Sequence, residues 1–241
     1  FDFVAALDPR TMEQSEQRLA GLSTHDYVVH EVKRIAIELG QDEDVPQGFV
    51  DTVWAFVSAC SESPAWFQGI LDRSPRVQPI LARMMGEAHL PEVFSYVAWI
   101  ESRLDPHATS GAGARGLWQL MPEKARELGL AVDPAHGIDE RTDPVRSTRA
   151  GTVFIGNLIR TFGREQFMCA LAAYNLGDAG MRNAMRKIPD PMMPSSQKYW
   201  YLVREHLLPD ETNGYVARIF SARIMAGAPA RFGFRVPGAG T

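Results

Sequence analysis

The sequence predicts a mainly α-helical fold. Apolar residues recur at intervals of three and four along most of the 241 residues, as they do on the buried face of an amphipathic helix. Serine, threonine, aspartate or proline stands where many of these stretches begin, and glycine follows several of them, which is how helices are capped. No segment alternates apolar and polar residues over a useful strand length, and no repeat or low-complexity tract is present.

The composition is that of an ordinary folded protein, with 45% hydrophobic and 22% charged residues. This length suffices for one large or two small domains. The net charge of -4 argues against a nucleic-acid partner, because such proteins usually carry an excess of basic residues. No apolar run approaches the roughly 20 residues that span a bilayer, so we expect no transmembrane segment.

The first half of the chain is predicted to hold a series of helices. One is bounded by Thr24 and Gly40, and a second begins at Pro46. Serine–proline pairs at 63–64 and 74–75 are predicted to open two further short helices, and Leu90-Pro91 starts the next helix.

The second half begins with a small-residue loop from Thr109 to Gly116 and continues mainly in helices. The predicted helices are 122–129, 144–163, 165–175 and about 214–225. The proline-rich stretch 187–194 is predicted to be a loop, and the chain from Gly227 onward is predicted to be loose.

Glu101 is the main candidate for a chemical role. It lies four residues after Val97, on the apolar face of its helix, where burial disfavours the charged carboxylate. It also lies near the predicted helix end before Pro106, where the helix dipole again disfavours an anion. A carboxyl group that stays protonated near neutral pH suits glycosidic bond cleavage. The structural alternative is a partly buried glutamate paired with Arg103 or Arg115.

Four sequence blocks occur in order from Glu101 onward. They are Glu101-Ser102-x-x-x-Asp105-Pro106-x-Ala108-x-Ser110, Gly113-Ala114-x-Gly116-Leu117-Trp118-Gln119-Leu120-Met121-Pro122, Ala172-Ala173-Tyr174-Asn175-x-Gly177 and Leu208-Pro209-x-Glu211-Thr212-x-x-Tyr215-Val216. Together they resemble the lytic transglycosylase domain of the goose-type lysozyme superfamily, and within it the membrane-bound enzymes of type D. The resemblance covers about Ile70 to Met225 and implies a lysozyme-like (goose-type) catalytic domain that cleaves peptidoglycan.

The resemblance also implies roles for single residues. Glu101 would be the general acid and then the base. The implied substrate-binding residues are Ser110, Trp118, Gln119, Met121, Tyr174, Asn175 and Tyr215. The resemblance implies no metal and no organic cofactor, peptidoglycan glycan strands as the partner, and a location in the periplasm or cell envelope.

Several of these residues have ordinary structural alternatives. Ser110 could cap a turn, while Trp118, Met121 and Tyr174 could belong to the hydrophobic core. The pattern Gly-x-Gly-x-x-Gly at 111–116 matches a dinucleotide-binding fingerprint, but that motif needs a preceding strand and a helix precedes it here. We therefore reject a dinucleotide site.

The predicted domain organisation has three parts. Residues 1–74 form an N-terminal helical segment packed on the catalytic domain, residues 75–228 form that domain, and 229–241 form a loose tail. We also expect the N-terminal segment to extend or cap the groove. Cys60 and Cys169 could form a disulfide, although two buried free thiols are the simpler interpretation.

Two other functions compete with the transglycosylase. A goose-type lysozyme hydrolase would add water and would be expected to need a second carboxylate, for which Asp105, Asp143 and Asp178 are the candidates. Asp143 is better explained as a helix N-cap and Asp105 as a turn residue before proline. A non-catalytic cell-wall binding module is the other possibility, but the presence of Glu101 and its accompanying residues argues against it.

Overall fold

Helices make up most of the part of the chain that the computed structural model describes, residues 19–236. The α-helices are α1 (Thr24–Glu38), α2 (Gln47–Glu62), α3 (Ala65–Glu87), α4 (Tyr96–Ser102), α5 (Pro122–Glu127), α6 (Pro144–Phe162), α7 (Phe167–Leu176), α8 (Asp178–Met185), α9 (Ser195–Arg204) and α10 (Asp210–Gly227). Short 3-10 helices lie at Glu92–Ser95, Pro134–His136, Glu140–Thr142 and Pro229–Phe232. Strands β1 (Val132–Asp133) and β2 (Ile138–Asp139) pair antiparallel. The prediction of a mainly α-helical fold is confirmed.

Helix α10 lies at the centre of the fold and packs against α1, α2, α4 and α7. Its buried residues lie on more than one side of the helix, as expected for a helix inside a core. The ring of Phe220 meets that of Phe49 on α2 edge to face, with 5.2 Å between their centroids. The hydroxyl of Ser221 donates to the backbone oxygen of Val53, also on α2, at 3.3 Å. This position lets α10 present side chains to α4.

Helix α3 is one continuous helix where the sequence suggested two. The prediction that Ser74 and Pro75 open a new helix is wrong, because the helix runs through both. Pro75 and Pro79 are four residues apart and both are exposed, while Leu71 and Leu81 are buried. Burial of the inner face therefore maintains the helix although each proline lacks the N–H of a backbone hydrogen bond.

The N-terminal helices share their core with the rest of the molecule. Besides the contacts of α2 with α10, Arg223 on α10 donates to the carboxylate of Glu38 on α1 at 2.7 Å. Because α3 also crosses position 74, the structure shows no break at the predicted boundary. Residues 1–18 of the predicted N-terminal segment lie outside the described residues.

The prediction of a loose tail from residue 229 is wrong for residues 229–236. Phe232 and Phe234 are each only 4% exposed. The ring of Phe234 lies 5.1 Å from that of Phe67 on α3, and the guanidinium of Arg231 lies 4.5 Å from the ring centre of Tyr27 on α1. This segment therefore closes the core over α1 and α3, and residues 237–241 lie outside the described part.

Several short elements were not predicted. Helices α8 and α9 flank the 187–194 loop, which was predicted correctly. The strands β1 and β2 have two residues each, which is too short for an alternating pattern to show. The interpretation of the cysteines as free thiols is confirmed, since Cys60 and Cys169 are both unpaired and buried. Within residues 19–236, no helix combines the length and the hydropathy that crossing a membrane requires.

Candidate active site

Glu101 lies in the last turn of α4 and is partly buried. The helix ends because Arg103 and Leu104 both adopt left-handed backbone conformations, each with φ of 57°. Such a conformation is strained for residues other than glycine and persists only when the surroundings hold it. Leu104 is fully buried, which supplies that hold. The helix thus ends before Pro106, as predicted from the sequence. The carboxyl group of Glu101 lies directly before this turn.

The hydroxyl of Tyr215, on α10, donates a hydrogen bond to Oε1 of Glu101 at 2.7 Å. Burial raises the pKa of Glu101 above its ordinary value, whereas this hydrogen bond and the positive charge of Arg218 lower it, and burial prevails. The predicted rise in pKa is confirmed in direction. Burial and the nearby carboxylate raise the pKa of Tyr215 well above its ordinary value, so the phenol remains a donor.

The structural alternative of an ion pair is not observed. Arg115 donates to Oδ2 of Asp139 at 3.0 Å, and Arg103 is exposed. Among residues 19–236 no basic side chain forms an ion pair with Glu101, and Tyr215 is its direct partner. A carboxyl group held by a neutral donor can be protonated without leaving a buried cation unpaired.

The small-residue loop after α4 folds back on itself. The N–H of Gly116 donates to the oxygen of Ala108 at 2.9 Å, and Arg115 and Leu120 exchange backbone hydrogen bonds at 3.1 and 3.2 Å. Gly116 has φ of 81°, and a Cβ there would lie 1.8 Å from the backbone oxygen of Arg141. Only glycine fits this position, for both reasons. These contacts hold the loop in a closed conformation.

Gln119 and Ser110 lie on this loop. Gln119 has φ of 45°, and its amide nitrogen donates to the oxygens of Gly116 at 2.9 Å and Ala108 at 3.2 Å. Its side-chain oxygen accepts no hydrogen bond from the described residues. The hydroxyl of Ser110 accepts from the N–H of Ala114 at 3.0 Å, so it caps the turn, as the structural alternative proposed, and it does not bond to Glu101.

The prediction that Trp118 lines the groove is wrong. Trp118 is 0% exposed, and its indole N–H donates to the hydroxyl of Thr148 on α6 at 3.2 Å. Its ring lies directly against Gly151 of the same helix. Complete burial of a ring of this size is strongly stabilising, and Trp118 therefore anchors the loop to α6 from the core side. Met121, in contrast, is 41% exposed at the start of α5, so its side chain is open to solvent.

Tyr174 and Asn175 approach from α7. The hydroxyl of Tyr174 donates to the backbone oxygen of Trp118 at 2.7 Å. Burial and then the charge of Glu101 raise the pKa of Tyr174, so its phenol remains protonated beside the site. The side-chain oxygen of Asn175 accepts from the hydroxyl of Thr212 on α10 at 2.9 Å. These bonds join α7 to the loop and to α10, and they bring the predicted residues from four parts of the sequence together.

The candidates for a second carboxylate all have structural partners. Asp105 accepts from the N–H of His107 at 2.8 Å, as expected for a turn residue. Asp143 caps α6 by accepting two backbone N–H groups at 2.9 and 2.8 Å, which confirms its predicted role. Asp178 pairs with Arg182 at 2.9 Å. None of them is among the groups that shift the pKa of Glu101.

Three residues of the site were not predicted. Arg218 lies three residues after Tyr215 on α10, and that spacing, which places two residues on one helical face, was a signal that could have found it. Thr212 lies in the fourth sequence block but was assigned no role. Arg141, which holds the loop, gave no local signal because the loop carbonyl groups to which it donates lie more than 20 residues away.

Two other features lie away from this chemistry. A cavity of about 490 Å³ lies between the start of α2, the end of α9 and the start of α10, with Phe49, Arg204 and Asn213 among its lining residues. None of the predicted site residues lines it. Between residues 19 and 236, no three His, Cys, Asp or Glu side chains are grouped as ligands for a metal ion.

Comparison with known proteins identifies the family. Residues 78–191 match the family model of the transglycosylase SLT domain, a range that contains Glu101, the loop and the site residues of α7. The chain is 30% identical over 169 residues to membrane-bound lytic murein transglycosylase D of Escherichia coli K12, an alignment that covers 69% of this chain and 35% of that protein. The chain belongs to the lytic transglycosylase family. It spans only about a third of the length of this relative.

Other lytic transglycosylases give the same result. Membrane-bound lytic murein transglycosylase F of Yersinia enterocolitica is 31% identical over 153 residues, which cover 58% of this chain and 29% of that protein. The structure of lytic transglycosylase Slt from Pseudomonas aeruginosa superposes with a TM-score of 0.51 at 20% identity, over 91% of this chain and 33% of the other. The 70 kDa soluble lytic transglycosylase of E. coli gives a TM-score of 0.50 at 20% identity, over 70% and 29%. The chain has the lysozyme-like fold that the sequence predicted.

Proposed function

We propose that this lytic transglycosylase cleaves the β-1,4 bond between N-acetylmuramic acid and N-acetylglucosamine in peptidoglycan and leaves a 1,6-anhydromuramoyl end. The observation that carries the proposal is the isolated carboxyl group of Glu101, raised in pKa by burial and held by Tyr215 at 2.7 Å. One such group can serve first as acid and then as base.

The reaction proceeds in two proton transfers. Protonated Glu101 donates to the bridging oxygen, the bond from that oxygen to the muramic C1 breaks, and the substrate's own acetamide stabilises the positive centre that forms. The Glu101 carboxylate then accepts the proton of the muramic 6-hydroxyl while its oxygen bonds to C1, which restores the acid. Tyr215 bonds to Oε1, and no side chain within residues 19–236 bonds to Oε2, which is therefore available for both transfers.

Polar groups around Glu101 are suited to holding the sugar. Gln119 is held through its amide nitrogen, and Asn175 is held through its side-chain oxygen. Within residues 19–236, the oxygen of Gln119 and the nitrogen of Asn175 have no hydrogen-bond partner. We propose that they bind hydroxyl or acetamide groups of the glycan, with Tyr174 beside them and Met121 as an apolar contact. Trp118 supports this surface from the core and makes no contact with sugar.

The hydrolytic alternative has less support. Activation of water by a second carboxylate requires an acid about 6.5–9.5 Å from the first in most inverting glycosidases. Asp105, Asp143 and Asp178 are each engaged elsewhere. Attack by the substrate's own 6-hydroxyl needs no such group. We further propose a location in the cell envelope, where peptidoglycan lies, in keeping with relatives that are named membrane-bound.

The test is digestion of purified peptidoglycan, followed by mass spectrometry of the released fragments. The unaltered protein and a control, Glu92→Gln, should both release anhydromuramoyl fragments, and Glu101→Gln should release none. Glu92 is an exposed glutamate just before α4, so the control makes the same chemical change outside the site. Fragments with reducing ends would instead establish hydrolysis. Binding of the cell wall without products from any of the three proteins would favour a binding module.

A further inference from the structure

Arg141 is a buried cation beneath the loop that carries Gln119. Its side chain is 7% exposed. Nε and Nη2 donate to the two carboxylate oxygens of Asp139, each at 2.8 Å. Nη1 donates to the backbone oxygens of Gly113 and Leu120, both at 2.9 Å. A buried guanidinium with this many partners is costly to disturb, because each lost bond leaves a buried group unsatisfied.

The two carbonyl groups that Arg141 holds lie on either side of Gln119 in the loop. Gly113 precedes Gln119 and Leu120 follows it directly. Asp139 extends the attachment, because its Oδ2 also accepts from Arg115, a loop residue, at 3.0 Å. The backbone oxygen of Arg141 approaches Gly116 so closely that no side chain fits there. The loop is therefore fastened to Arg141 and Asp139 at several points.

We propose that Arg141 is a positioning residue for the glycan-binding loop: through the carbonyls of Gly113 and Leu120 it fixes Gln119 in the orientation that binds substrate. Arg141 does not touch substrate itself. This inference rests on the proposed function, since it assigns the loop to glycan binding. Its physical part, that Arg141 sets the conformation of the loop, is independent of activity.

Lysine cannot replace arginine in this role. The guanidinium fork places donors in one plane toward Asp139 and toward two carbonyls, while an ammonium group is a single point with a different reach. Arg141→Lys therefore keeps the charge but loses part of the hydrogen bonding. Asp139→Asn is a milder second variant, which leaves Arg141 in place and weakens its anchor.

A matched control is Arg223→Met. Arg223 is also a mostly buried arginine, with its side chain 12% exposed, and it pairs with Glu38 at 2.7 Å on α1, away from the loop. Loss of this ion pair should lower the stability of the fold without altering the loop. The control therefore separates a general loss of stability from a specific loss of loop geometry.

The first measurement is hydrogen–deuterium exchange of the backbone amides of residues 108–120 without ligand. Arg141→Lys should speed exchange at Gly116 and Leu120 by about tenfold or more, and Arg223→Met should leave it unchanged. The second is binding of tri-N-acetylglucosamine by calorimetry. Arg141→Lys should weaken binding by about tenfold or more, with the pH profile of peptidoglycan cleavage unchanged, because Glu101 keeps its surroundings.

The decisive readout is a double-variant cycle with Gln119→Ala. If Arg141 acts through Gln119, the double variant should bind tri-N-acetylglucosamine no more weakly than Gln119→Ala alone. Fully additive losses, or unchanged loop exchange in both Arg141→Lys and Asp139→Asn, would overturn the inference. If the unaltered protein releases no anhydromuramoyl fragments, the proposed function fails, while the exchange measurement still decides whether Arg141 sets the loop.

Discussion

The contact between Gly151 and Trp118 allows a test of how tightly the loop is supported. Gly151 lies on α6, and a Cβ added there would lie 2.4, 2.6 and 2.9 Å from three ring atoms of Trp118. Carbon atoms in contact normally lie about 3.5–4.0 Å apart, so in Gly151→Ala the ring or the helix must move by about 1 Å. Trp118 is fully buried and has no free space into which it can move without disturbing its neighbours.

Two opposing effects determine the magnitude. Overpacking of a core costs about 1–3 kcal/mol, while replacing glycine by alanine inside a helix gains about 0.5–1 kcal/mol. The net loss in the free energy of unfolding for Gly151→Ala should therefore lie between about 0 and 2.5 kcal/mol, and its midpoint of about 1 kcal/mol lowers Tm by about 2–4 °C in a protein of this size. Gly156→Ala is the control, because it lies on the same helix and its Cβ would meet only Arg160, at 3.6 Å. It should raise Tm by about 1–4 °C.

Gly151→Ala should also lower activity. The backbone oxygen of Trp118 accepts from Tyr174 at 2.7 Å, and Gln119 is the next residue, so movement of Trp118 displaces both. Thermal unfolding and the release of anhydromuramoyl fragments at 25 °C should be measured for both variants. If Gly151→Ala matched Gly156→Ala in Tm and in activity, close packing of α6 against Trp118 could not be what holds the site.

Three further predictions concern titratable groups. The pKa of Glu101 is higher in the folded than in the unfolded protein, so the folded state loses stability as the pH rises from the unfolded pKa to the folded pKa. Glutamine cannot ionise, so at pH 7 the free energy of unfolding of Glu101→Gln should exceed that of the unaltered protein. Urea denaturation should show this excess shrinking toward pH 4. Tyr215→Phe removes the hydrogen bond that lowers the pKa of Glu101, so the alkaline limb of the pH–rate profile should move to higher pH. The maximal rate should fall about tenfold or more, and an alkaline limb at unchanged pH would contradict the assigned contact. Burial raises the pKa of Cys60 to about 11 and of Cys169 to about 12, so Ellman's reagent at pH 8 should label neither thiol in the folded protein and both in guanidinium; rapid labelling of the folded protein would exclude this burial.

Local sequence patterns predicted the features that depend on neighbouring residues. The spacing of Glu101 from Val97 was enough to place the carboxyl group on a buried face and to give the direction of its pKa. Asp143 before proline gave the start of α6, because capping needs only the next few backbone N–H groups. The side chains that complete the site could be named only through the family resemblance, since their chemistry depends on distant contacts.

Features decided by distant contacts escaped local reasoning. Tyr215 is separated from Glu101 by 114 residues, and no sequence pattern near either residue predicts their hydrogen bond. Trp118 lies in a motif of site residues, yet its ring packs in the core against Gly151 on α6. Pro75 suggested a helix start, but burial on the opposite face of α3 outweighed the missing hydrogen bond. For Trp118 and Pro75, tertiary packing overrode the local signal.

The chemistry we propose demands opposite properties of Glu101, and different helices supply them. Burial at the end of α4 favours the protonated acid, while Tyr215 and Arg218 on α10 favour the carboxylate that must act as the base. Neither influence alone would serve both the protonation of the leaving oxygen and the later removal of a proton. Burial without the phenol disfavours the carboxylate that acts as the base, and the phenol without burial leaves the acid already ionised at neutral pH. The balance therefore depends on the placement of α10 against α4. Because α1 and α2 pack on α10 through Glu38, Val53 and Phe49, we expect the N-terminal helices to support the proposed reaction by fixing that placement.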